Sequence, residues 1–197
     1  MKRLAVLAVV ACLWGCALPG TGRAGPITYT ETFTASGSLG TKIFTDAMVT
    51  ITGTGDTANV THPFTGLFDN TTTATVDIAG IGTATPTTSF HAFAASYSIA
   101  TAAGFNFGGN VIIVDTENSA FATYDLKSSI GPESGPVFEP GLSFIFPTDQ
   151  GDLDFTGITG DSTFTATTAV PEPASLTLLG LGAAGLAGYG WRRKRAA

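Results

Sequence analysis

Between its two ends this chain has almost no basic residues, no cysteine and no tryptophan, and each absence removes a class of function. Only Lys42 and Lys127 fall within residues 25–169, against 14 Asp and Glu there, so this segment carries −12 where the whole chain carries −6. A surface of that sign repels phosphate, which excludes nucleic-acid binding and disfavours anionic lipid. Both cysteines, Cys12 and Cys16, lie before residue 25. The main segment therefore has no disulfide and no thiol, and its stability must come from a packed core. Trp14 and Trp191 are the only tryptophans, one near each end, so the segment between them lacks the indole platforms that stack on sugar rings. His62 and His91 are the only near-neutral bases, and no Gly-x-Ser-x-Gly elbow is present. These gaps predict a protein that is not an enzyme and uses no cofactor.

What is present is a period of two. Ile27, Tyr29, Phe33 and Ala35 alternate with Thr28, Thr30, Thr32 and Thr34, one face apolar and the other a row of hydroxyls. Further β-branched and aromatic runs at 43–52, 73–79, 89–99, 110–115, 121–126, 142–146, 153–158 and 162–168 are separated by Gly, Pro, Asn and Asp. About nine short strands in one domain predict an all-β fold, a single antiparallel β-sandwich, jelly-roll-like or Ig-like. Val111 to Val114 lacks alternation and is expected in a central strand covered on both faces. Tyr29, Tyr97 and Tyr124 sit in apolar patterns and are expected in the core, and His91 is expected as a hydrogen-bonded structural residue.

The ends differ in kind. Lys2 and Arg3 precede an apolar run at 4–14, and Gly22-Arg23-Ala24 offers small residues to a signal peptidase, so residues 1–24 read as a signal peptide cut between Ala24 and Gly25. Leu13-Trp14-Gly15-Cys16 offers a lipidation alternative, against which Trp14 stands where a small residue is needed. At the other end, residues 170–197 form three parts. Val170-Pro171-Glu172-Pro173 reads as a short polyproline-type rod, because each proline fixes its own φ and holds the preceding residue extended. Residues 174–191 carry no charge over 18 positions, about 27 Å of helix, enough for a transient transmembrane anchor. Arg192-Arg193-Lys194-Arg195 is a basic stop that stays cytoplasmic and leaves the β-domain, residues 25–169, outside.

Pro171, Glu172 and Pro173, followed by an apolar span and a basic cluster, resemble the PEP-CTERM sorting signal of bacterial exported proteins. The resemblance implies recognition and cleavage by an exosortase, a membrane-embedded transpeptidase-like enzyme, and delivery to the cell surface or extracellular matrix, often beside exopolysaccharide. The implied partners are thus a signal peptidase, an exosortase, the membrane and extracellular polysaccharide. The resemblance assigns no activity to the β-domain.

No metal is expected to be required. Asp149, Asp152 and Asp154 are the nearest approach to a calcium site, since Asp152 and Asp154 would project from one face of a strand with Asp149 in the preceding loop. Two other functions compete with that of a sorted surface protein. One is a carbohydrate-binding β-sandwich, weakened by the missing tryptophan. The other is a threonine-rich ice-binding or adhesive face, opposed by the lack of a repeat of constant period.

Overall fold

The computed structural model describes residues 24–97, 101–108, 111–137, 144–169 and 182. They form eleven strands: β1 Pro26–Leu39, β2 Lys42–Asp56, β3 Thr61–Phe64, β4 Leu67–Ile78, β5 Gly82–Ala84, β6 Phe90–Ser96, β7 Thr101–Phe107, β8 Val111–Glu117, β9 Ile130–Pro136, β10 Phe144–Thr148 and β11 Gly151–Thr168. All pairings between strands are antiparallel. The main path runs β10-β11-β1-β2-β4-β6-β7-β8, with β3 and β5 added on β4 and β9 on β11.

This path curls until its ends almost meet. At one seam Thr116 of β8 bridges Val137, just after β9, and Asn118 Nδ2 donates to Ser134 O (2.9 Å). At the other, Pro86 bridges Thr148 and Thr87 N donates to Pro147 O (3.0 Å), tying the chain after β5 to β10. The all-β expectation holds, in the form of an antiparallel sheet nearly closed into a barrel or sandwich. The strand order departs from a jelly roll: β1-β2-β4-β6-β7-β8 follow one another as neighbours, because short turns such as Gly40-Thr41 favour adjacent antiparallel partners over Greek-key crossings.

The interior is aromatic. Phe33, Phe44, Phe146 and Phe155 pack with Phe90 and Phe107 toward one end, and Tyr29, Phe121, Tyr124 and Phe164 toward the other, with ring centroids 5.2–6.3 Å apart. Alternation places Ile27, Tyr29, Phe33 and Ala35 inward as expected.

Four sequence expectations need correction. Residues 121–126 form no strand: Asn118 Oδ1 accepts from Ala120 N (2.9 Å) and starts a 3-10 turn, Ser119–Thr123, and Leu126 follows with φ 62°. Residues 153–158 and 162–168 are not two strands but parts of one, β11, which accommodates Gly157 to Asp161 through register shifts against β1. β8 is terminal on the main path, not central, and only Ile113 and Val114 of its apolar run are fully buried. Tyr97 lies in no core: it is 46% exposed.

Candidate functional site: the junction of the two terminal segments

The first and last strands are partners. Ile27 pairs with Thr168, and Ala169 N donates to Pro26 O (3.1 Å), so the chain enters and leaves the domain side by side. Gly25 is held on both sides by one residue: its N–H donates to Thr57 Oγ1 (3.0 Å) and its carbonyl accepts from Thr57 N (3.0 Å). Thr57 is placed by the 3-10 turn Thr57–Asn59, capped by Asp56 Oδ1 accepting from Ala58 N (2.8 Å). Ala24 is exposed, so the expected Ala24–Gly25 cleavage point stands at the surface just before the pinned glycine. Val170, Pro171, Glu172, Pro173 and the basic Arg192, Arg193, Lys194 and Arg195 lie outside the described residues, as do residues 1–23 and, apart from Gly182, the apolar span 174–191. Among the described residues no helix is long and apolar enough to cross a membrane.

The three aspartates do not converge. Asp152 and Asp154 do share the outer face of β11, paired with Pro147 and Ile145. Asp149 is committed elsewhere: its Oδ1 accepts from Thr85 N (2.7 Å) while its own N–H donates to Thr85 O (2.9 Å), closing the β5–β10 seam. Among the described residues no group of three His, Cys, Asp or Glu side chains could hold a metal ion.

His91 is hydrogen-bonded. Its Nδ1 lies 2.7 Å from Asp69 Oδ1, Asp69 Oδ2 accepts from Asn106 Nδ2 (3.2 Å), and Nε2 is 3.5 Å from Ser89 Oγ. The order Ser, His, Asp is that of a nucleophile relay, but Ser89 is exposed at the head of β6 and its contact is at the limit of hydrogen bonding. The well-made bonds join neighbouring strands β4, β6 and β7, which is a stitching role. His62 stands in exposed β3 with its ring 4.7 Å from Phe68.

Two features escaped the sequence reading. Glu31 is the inward residue between Tyr29 and Phe33, fully buried, and its position two residues from each was the signal that could have revealed it. Its Oε1 lies 3.0 Å from Thr116 Oγ1, which is 2.6 Å from Ser162 Oγ, which donates to Asp115 O (3.1 Å). Thr116 Oγ1 is the donor to the carboxyl oxygen. Burial pushes Glu31 well above the ordinary carboxylate range, and the nearby Asp115 charge adds to the effect, against the lowering by the Thr116 and Ser162 hydroxyls. Burial also pushes the Tyr29 hydroxyl, which donates to Leu126 O (2.7 Å), up to about 12, against the lowering effect of the bond that Asn70 Nδ2 donates to it (2.8 Å). Tyr124 is raised further by the same cause, and its hydroxyl has no hydrogen-bond partner among the described residues.

The second feature is two-dimensional. Register aligns Thr73-Thr54-Thr28-Thr167, then Thr75-Thr52-Thr30-Thr165, then Thr50-Thr32-Thr163 across β4, β2, β1 and β11. Cross-strand partners share a face, so eleven threonines form an outer lattice spaced about 4.8 Å between strands and about 6.7 Å along them. No repeat in the sequence encodes it; pairing does.

Residues 169–195 match the family model described as the PEP-CTERM protein-sorting motif. No curated protein and no solved structure matches the chain.

Proposed function

We propose that this PEP-CTERM protein, exported and sorted by an exosortase through residues 169–195, serves as a non-enzymatic component of the cell surface or extracellular matrix associated with exopolysaccharide. The sorting motif carries the reading. Its attachment supports it: Ala169, bonded to Pro26, leaves Val170 as the only residue before Pro171, so the tag is presented at the margin of a folded domain. A substrate handed over in this way is one whose folded part is the cargo.

The intact mass of the mature protein, from cells with and without a functional exosortase, tests this. The expected product begins at Gly25 and loses everything from about Pro171 onward only when the enzyme is present, and Glu172→Ala keeps the tail in both strains. A tail retained everywhere would overturn the sorting reading.

A second reading, an ice-binding or adhesive face, is supported by the threonine lattice. Hydroxyl and methyl groups at regular intervals offer a periodic surface, in which the carboxylate of Asp77 occupies the corner level with Thr50, and no large aromatic stands in these three rows. Thr30→Lys with Thr52→Lys places two cations at the centre of the lattice. If the face works by its regularity, the pair abolishes inhibition of ice recrystallisation by the purified domain. Wild-type domain without any such inhibition would refute the ice-binding version.

A further inference from the structure

The end of the domain from which both terminal segments leave also carries two exposed aromatics. β1 and β4 both begin at this end, and Thr73 of β4 is level with Thr54 and Thr28. Residues 67–72 leave β2 and pair with β6, and β3 follows directly on the 3-10 turn whose Thr57 holds Gly25. The β3–β4 tip thus belongs to the same end as the exit of the chain. The end of β6 lies beside it: Leu67 pairs with Ala95, and Ser96 N donates to Gly66 O (2.7 Å). Phe64 is 64% exposed and Tyr97 46% exposed on these two adjoining tips.

The tips are also electrically distinct. In a segment of net charge −12, residues 57–68 and 92–114 contain no Asp, Glu, Lys or Arg. The β3–β4 tip and the end of β6 thus carry no charge of their own, although Asp56, Asp69 and Glu117 stand behind them. From Ala169 only residues 170–173 precede the apolar span, and four residues reach at most about 14 Å however they are arranged.

We propose that this end of the domain rests on the lipid surface while the C-terminal segment is attached, with Phe64 and Tyr97 entering the interfacial layer. Aromatic rings favour that layer. The occupant is the bilayer that holds the chain's own tail, so the inference rests on the reading of residues 174–191 as a membrane segment. Removal of the tail takes away the tether, and two aromatics alone hold the domain weakly, so cleavage also releases this contact.

The test uses the chain beginning at Gly25, which has no cysteine, reconstituted with its tail in vesicles of phosphatidylethanolamine and phosphatidylglycerol. Phe64→Cys, Tyr97→Cys and, at the opposite end in the β1–β2 turn, Thr41→Cys each carry a fluorescent label, and lipid-borne nitroxide is the quencher. The expected result is loss of most fluorescence at positions 64 and 97 with little loss at 41. Equal quenching at all three, or none at 64 and 97, overturns the proposal while leaving the anchor intact. A chain that does not stay with the vesicles overturns both. Hydroxyl-radical footprinting of the unsubstituted chain gives the same comparison without a label: vesicles should protect Phe64 and Tyr97.

Discussion

Phe164→Ala is expected to cost about 3–5 kcal/mol of folding stability, the range for deleting a fully buried aromatic ring. Phe164 is 0% exposed and lies 5.6 Å from the Phe121 ring, 6.2 Å from Tyr124 and 6.3 Å from Tyr29. Each partner comes from a different part of the chain, β1, the 3-10 turn or the loop after it, so the vacated space cannot be closed by moving one neighbour. Domains of this size hold about 5–15 kcal/mol in total, so the variant should fold with a strongly lowered urea midpoint. A cost below about 1 kcal/mol would mean that the ring cluster collapses onto the gap and is not the rigid centre described.

Glu31→Gln should do the opposite at neutral pH. Burial raises the Glu31 carboxyl well above its ordinary value of 4.5 in the folded domain, so the folded domain keeps this proton to higher pH than the unfolded chain does. Stability is therefore full below that ordinary value and falls as pH rises toward the raised folded value, at about 1.4 kcal/mol per pH unit. Glutamine keeps an acceptor for Thr116 Oγ1 and removes the titration. Urea midpoints of wild type and variant should be close near pH 4 and diverge in favour of the variant as pH rises to 8. Parallel curves would show that burial does not raise the Glu31 carboxyl in the folded state.

Much of the fold was legible because burial on one face leaves an alternating trace. β1 and the second half of β4 follow that rule, with inward Ile27, Tyr29, Ala74, Val76 and Ile78. The misreadings have local causes. Residues 121–126 have β-type composition, but a side-chain cap upstream set a different backbone. Tyr97 shares its neighbours' pattern, but the strand ends at Ser96 and leaves it beyond the sheet. Asp152 and Asp154 were placed on one face by alternation alone, whereas the contact of Asp149 with Thr85, 64 residues away, has no trace in spacing.

The sequence by itself determined the sorting of this protein, because the tag, the apolar span and the basic stop act as linear segments read in order by other machinery. It also determined the all-β class, since period two survives in any arrangement that buries one face. Tertiary structure alone decided the rest. The buried Glu31–Thr116 contact, the threonine lattice and the adjoining Phe64 and Tyr97 each join residues from strands far apart in the chain. Register sets those meetings, and register depends on the whole sheet closing, which no local stretch of sequence records.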